Sequence, residues 1–443
     1  MNHKHNYRYA VNRAGSILLI TVLSLLLTIS PALLFSQTTT QSPPPPTWSS
    51  KWHDGYQVTS SDKQFKMKFG GRIMYDFAFF FQDDSLKSEF GELNNGTEFR
   101  RVRFFNSGQI YTNIKYKLQL DFAGGKISAK DMWIMITKIP GVGNLKVGHF
   151  KEPFRLEALT SSKYMTFIER GLPIAMTAER NAGFMLQNKF QDDRLGIQAG
   201  IFRDAEGDGN AMTANDGYAV TARVSGLPLL KKDKNQLAHL GVAYSYRKPD
   251  PKEYEIKSRP ENHLGKTYVG TGYIEMVDVV THLGAEAALV AGPVSIQGEF
   301  VQSSIDTKDS LNTSYSFMGY YGQVSYFLTG EHRAYENYEV GFGRVSPKKN
   351  FGDGAGGMGA VEVAVRYSVL DLIDGKSSNG TLIPGGKLND ITIGINWHLN
   401  PATRIMMNYV MATLENIDPS STNDGVGEVG TEGSFQMRFQ IDF

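Results

Sequence analysis

The sequence predicts an all-β fold, a transmembrane antiparallel β-barrel of sixteen strands. Three observations predict it. The last residues alternate: Phe435, Met437, Phe439, Ile441 and Phe443 are apolar, and Gln436, Arg438, Gln440 and Asp442 between them are polar. A strand with one face in lipid and the other in a wet lumen reads this way. The same period recurs from Gln64 onward, with almost no helix-period apolar stripe between strands. The connections also alternate, tight at 111–113, 191–193, 291–292 and 400–401, and longer at 82–96, 151–181, 248–277 and 415–432. Short periplasmic turns opposite long outside loops produce that rhythm.

The chain begins with an address. Lys4, Arg8 and Arg13 precede an apolar run over 17–35, broken by Pro31, with Ser36 as a small residue at a cleavage site, so residues 1–36 read as a secretory signal peptide. No other long apolar run follows, and any crossing downstream must be made by strands. Residues 37–63 form a polar linker and periplasmic segment, in which four consecutive prolines (43–46) favour a stiff, extended path. The barrel takes 64–443. Aromatics at 12% and 46 glycines suit girdled, tightly turning sheets, and a formal charge of +1 argues against nucleic acid as a partner. The absence of cysteine excludes a disulfide framework and thiolate metal sites.

Strands are expected near 65–81, 97–110, 114–122, 130–137, 144–150, 182–190, 194–202, 217–225, 238–247, 278–290, 293–304, 315–328, 359–370, 389–399, 402–412 and 433–443. An even number lets both ends of the barrel lie in the periplasm. In the first strand Ile73, Tyr75, Phe77, Phe79 and Phe81 oppose Arg72, Met74, Asp76, Ala78 and Phe80. In the third, Ile114, Tyr116, Leu118 and Leu120 oppose Lys115, Lys117, Gln119 and Asp121. Segment 329–357 is long where a short turn is due, so it holds either a hidden strand pair or an insertion. Closure leaves no unpaired backbone edge in hydrocarbon, and this strand number leaves room for water inside.

Several segments resemble one family. KFGGRIMYDF (68–77), GTEFRRVRF (96–104), LKVGHFKEPFRLEALTSSKYMTFIERGLP (145–173), SRPE (258–261), FLTGEHRAY (327–335), GAVEVAVRYSVLDL (359–372), INWHLNPATRIMMNYV (395–410) and MRFQIDF (437–443) are similar, in this order, to the phosphate-selective porin O/P family of Gram-negative outer membranes. The resemblance implies a homotrimeric, anion-selective pore in outer-membrane lipid, with no cofactor. It further implies that the third outside loop folds into the barrel and that arginines form a ladder down the wall. A lysine at the constriction then draws small anions, phosphate or polyphosphate, inward. By motif the pore-lining, anion-binding residues are Arg72 of GGR, Arg100 and Arg101 after Phe99, Lys163 of TSSK, and Lys257 and Arg259 of the later loop.

The residues agree in kind. Arginine keeps its charge in a hydrated bore and presents a fork of donors suited to phosphate oxygens. Several moderate sites in series admit an anion and still release it. Arg72 lies on the polar face of its strand. Arg100 and Arg101 are adjacent and so point to opposite faces, unless the strand bulges there or the pair lies above the membrane. Glu261 after Arg259 weakens the local positive field and Lys266 lacks the bidentate fork, so general passage of small solutes stands beside phosphate selectivity. Blander readings are ion pairing of Lys163 with loop acids, and neutralisation of Lys115 and Lys117 by Asp121 and neighbouring acids. His149, His239, His282 and His398 lie singly, without HExxH spacing, and the acids at 204–208 and at Glu415 and Asp418 form no EF-hand loop, so no metal is assigned. No GxSxG elbow or other catalytic signature is present, and a barrel-borne enzyme is the lesser alternative to a porin.

Overall fold

A computed structural model describes residues 46–205, 217–354, 356–375, 381–417 and 426–443. Sixteen strands close the sheet: β1 Lys66–Gln82, β2 Gly96–Ile110, β3 Ile114–Asp121, β4 Ser128–Ile139, β5 Gly143–Lys151, β6 Arg180–Phe190, β7 Leu195–Arg203, β8 Tyr218–Lys231, β9 Gln236–Lys248, β10 Val277–Ala291, β11 Val294–Thr307, β12 Ser314–Phe327, β13 Ala360–Asp374, β14 Ile383–Asn400, β15 Thr403–Ile417 and β16 Val426–Asp442. Each pairs antiparallel with the next, and β16 returns to β1 with Asp442 opposite Arg72 and Glu432 opposite Gln82. All sixteen expected strands are present. β14 and β16 begin several residues earlier than the alternation marks them. Apolar alternation is needed only where the wall meets lipid, whereas the hydrogen-bond ladder continues into the outside rim.

The barrel is inside out relative to a soluble protein. Arg223, Arg366 and Arg438 are among its largest fully buried side chains, while Phe81, Phe184 and Leu240 are more than half exposed. Many buried groups are polar because they line and fill the lumen, and many exposed groups are apolar because they face hydrocarbon. The GGR motif closes the ring. The Gly71 amide donates to the Phe443 carbonyl at 2.6 Å, and a Cβ on Gly70 would lie 2.5 Å from that same oxygen. Only glycine leaves the terminal residue this close to β1.

Part of the expected linker is a hairpin. Trp48–Trp52 pairs with Tyr56–Ser60, which in turn pairs with the start of β1 below the end of β16. Trp48, Ser50 and Trp52 alternate in strand fashion, and Asp54 and Gly55, both at positive φ, supply the turn. Residues 1–45, with the expected signal peptide and the first prolines, lie outside the described residues. Segment 328–359 is the insertion and adds no barrel strand, because β12 pairs directly with β13. Its short bridge, Tyr335–Asn337 with Gly341–Phe342, enters the lumen from the periplasmic end.

Candidate functional site

Two segments meet inside the bore. The inward loop, 152–179, runs along the β13–β16 wall, and the wall's side chains grip its backbone. The carbonyls of Lys163, Met165, Thr166, Ile168 and Glu169 accept from Gln440 (3.1 Å), Arg404 (2.7 Å), Asn396 (2.7 Å), Arg438 (2.7 Å) and Arg366 (3.0 Å). Carboxylates complete the clamp. Glu157 accepts from Arg366 at 3.2 Å, and Glu299 on β11 accepts from Arg155 at 2.8 Å and from the Glu157 amide at 2.6 Å. The inserted turn reaches this loop from below. Gly341, at φ 69, sits where a Cβ would be 2.6 Å from Leu156, and the Phe342 amide donates to Thr160. A side chain at 341 would force the two segments apart.

The β1–β6 side is left open. A cavity of about 500 Å³ at the periplasmic end is lined by five lysines and arginines (Lys68, Arg72, Lys117, Lys163, Arg344) against two acids, Asp54 and Glu336. A deeper one of about 200 Å³ has eight such cations against three acids. The cavities share Arg72, Lys117, Gln119 and Ser161, so they form one passage. Many of its cations are already paired: Arg103 with Asp121 (2.6 Å), Lys117 with Asp131 (2.6 Å), Arg180 with Asp131 (2.9 Å) and Lys146 with Glu339 (3.6 Å). Arg72 differs. It donates to Ser162 at 2.7 Å and Ser161 at 3.3 Å, and its buried Nε has no partner among the described residues. That Nε is closed off from solvent, so what Arg72 offers the cavity is a guanidinium charge hydrogen-bonded only to hydroxyls, suited to an anion.

The structure places the expected residues in three groups. Arg72 and Lys163 share the periplasmic cavity. Lys163 Nζ lies 3.1 Å from Asp442, and burial pushes its ammonium down to about 8, with Asp442 opposing and Arg72 and Arg344 adding to the depression. Arg100 and Arg101 both turn inward, because Met74 pairs with Arg101 and Tyr75 with Phe99, leaving Arg100 as the extra residue of a bulge. They converge on Glu169 of the inward loop, at 2.7 Å and 3.7 Å. Burial raises that carboxyl, but Arg100, Arg101 and Arg438 outweigh it and hold it well below the ordinary carboxylate range. Lys257 and Arg259 stand apart, exposed on loop 249–276, with Lys257 paired to Glu255 at 2.6 Å. The tip of that loop enters the lumen instead through Glu261, which accepts from Thr392 at 2.6 Å and from Arg366.

Lys117 does line the passage, and of the acids expected near it the one that pairs is the cross-strand neighbour Asp131. Asp121 lies on the same strand as Lys117 and is taken by Arg103 on β2. Arg103, Lys146, Lys151, Arg170 and Arg180 were not singled out from the sequence. Arg103 could have been found from strand phase alone, whereas Arg180 has the phase of the exposed Phe184 and Leu186, and Arg170 and Lys151 depend on where the loop folds. The acids at 206–208 and Asp418 lie outside the described residues; Asp204 pairs with Arg247 at 2.7 Å and Glu415 with Lys387 at 2.9 Å.

Comparison with known proteins bears on the family and the barrel fold. Residues 67–443 match the family described as phosphate-selective porin O and P. Porin O of Pseudomonas aeruginosa is 26% identical over 404 residues, covering 84% of this chain and 88% of that protein. A protein of Caulobacter vibrioides is 28% identical over 405 residues, covering 88% and 76%. Among solved structures, the in-vitro folded outer-membrane protein OmpT of Vibrio cholerae superposes with a TM-score of 0.52 at 10% identity, covering 86% of this chain and 98% of that one.

Proposed function

We propose that this chain, which belongs to the phosphate-selective porin O and P family and forms an outer-membrane porin channel, carries small oxyanions such as phosphate along the β1–β6 side of its lumen. What carries the reading is Arg72. It is a buried guanidinium at the junction of two cation-rich cavities, held by hydroxyls rather than carboxylates, with its Nε unfilled. Lys163 faces it across the periplasmic cavity as the constriction lysine. Arg101 adds to the deeper cavity, while Arg100 sets the inward loop through Glu169. Lys257 and Arg259 act earlier, as exposed charges that draw anions towards the mouth. Passage is passive, with no catalytic residue and no metal or organic cofactor, and the assembled form is a homotrimer after removal of residues 1–36. Sequencing the mature N-terminus and weighing the detergent-solubilised complex test these last two statements.

The test of the central statement is inorganic phosphate titrated against chloride current through single channels in a planar bilayer. Phosphate blocks the parent channel, and Arg72→Ala raises the half-blocking concentration more than it changes the chloride conductance. Equal block in Arg72→Ala and parent removes Arg72 from the path. A second reading, general passage of small solutes, is favoured by the dense ion pairing of the other passage cations. It predicts no block by phosphate at any concentration.

A further inference from the structure

We infer that Asp442 is a built-in counter-anion at the periplasmic exit, competing with the departing oxyanion for Lys163 and Arg344 and so setting how readily the channel lets go. The inference rests on the anion-passage reading above. Its basis is a convergence of charges from separate parts of the chain. The Asp442 carboxylate, one residue from the chain end, accepts from Lys163 Nζ at 3.1 Å and from both terminal nitrogens of Arg344. Lys163 comes from the inward loop and Arg344 from the inserted turn, while Arg72 is Asp442's register partner on β1. Arg344 is divided further: its Nε faces Asp54 of the N-terminal hairpin at 2.5 Å, and Nη2 meets the Tyr164 hydroxyl at 3.3 Å.

The geometry makes this more than a structural tie. Lys163 and Arg344 line the 500 Å³ cavity, but Asp442 does not; it reaches them from the wall behind, through a small enclosed space that all three line. An oxyanion arriving in the cavity therefore meets the same two cations from the front. Three cations around one site would hold a phosphate firmly, and a pore that binds firmly conducts slowly. A fixed carboxylate behind the cluster lowers its net charge without blocking the path, and it re-pairs with the cations as the anion departs. Lys68, Lys117 and Glu336 also face the cavity, but none of them touches the Asp442 carboxylate. The sequence alternation already put Asp442 on the lumenal face, yet nothing in it revealed that two inward segments end there.

The test compares phosphate block of chloride current in the parent, Asp442→Asn and Lys163→Gln channels, each checked for barrel formation by heat-modifiable migration. Asp442→Asn is expected to lower the half-blocking phosphate concentration at least fivefold and to lengthen each blocking event by a similar factor. An unchanged half-block in folded Asp442→Asn overturns the inference. If that variant does not fold, Arg344→Gln serves. It leaves Asp442 acting on Lys163 alone and should raise the half-block at least threefold; no change there overturns the inference equally. Lys163→Gln separates the two layers. A parent channel that phosphate does not block means the passage reading itself has failed. Block that weakens in Lys163→Gln but is indifferent to Asp442→Asn removes only the counter-anion.

Discussion

On the β13–β16 side of the lumen, Arg366, Arg404 and Arg438 commit their donors to loop carbonyls, and Arg366 and Arg438 also to carboxylates. On the β1–β6 side, Arg72 is held only by serine hydroxyls and keeps a donor free. The residue type and the barrel phase are the same, and the roles are opposite. An arginine tied to the main-chain carbonyls of the loop is a structural clamp, even where one donor, as at Arg404 Nη2, stays unmatched among the described residues. One held only by hydroxyls beside a cavity has, among the described residues, no carboxylate bonded to it and is a binding group. A lumenal arginine therefore cannot be counted as a rung of a ladder until its partners are known.

The largest expected effect comes from breaking the clamped side. Glu169→Gln leaves Arg100, Arg101 and Arg438 without their shared carboxylate, and unpairing buried charges of this kind costs about 3 kcal/mol or more. A lower unfolding midpoint in detergent, with larger and noisier single-channel conductance, should follow as the inward loop comes loose. Parent-like stability and quiet conductance would place the clamp elsewhere.

Next is the open side. Lys163→Glu reverses a charge beside the passage. At water-like dielectric one unit charge at about 4 Å is worth about 1 kcal/mol, so reversal followed by salt screening should cut the anion-to-cation permeability ratio about tenfold. Stability should change far less than in Glu169→Gln. If both variants lose stability alike, the contrast between the two sides collapses.

A smaller effect follows from titration. The Lys163 ammonium lies near 8, so it is charged below that pH and neutral above it. Anion preference should decline as the pH rises through 8, and Lys163→Gln should abolish that inflection. A parent channel with flat selectivity from pH 7 to 9 would contradict the assignment. The smallest effect belongs to the exposed pair. Removing Lys257 and Arg259 together should slow anion entry by less than about twofold at low salt and not at all at high salt, since exposed charges act over roughly a Debye length. A salt-independent loss would mean that loop 249–276 contributes to the bore itself.

The strands were legible because a wall between lipid and water must alternate with period two, whereas at Arg100 the sequence left a bulge and a position above the membrane open, and the pairing of Met74 with Arg101 and of Tyr75 with Phe99 decides for the bulge. The clamp was not. Its acceptors are main-chain carbonyls at 163–169 and its donors lie some two hundred residues or more along the chain, so no local pattern links them. The inserted turn showed as a break in the loop rhythm, but its entry into the lumen depends on Gly341 meeting Leu156, a close approach visible only in three dimensions. Neutralisation of Lys117 by a wall acid was legible, but which acid does it, Asp131 on the neighbouring strand, depends on register.

The most direct measurement of the central claim is the reversal potential of single channels in a potassium chloride gradient. A lumen whose open side carries unneutralised Arg72 and partly neutralised Lys163 should reverse on the anion side, and Arg72→Ala should move it towards zero. A parent channel that reverses at zero or on the cation side would contradict the account.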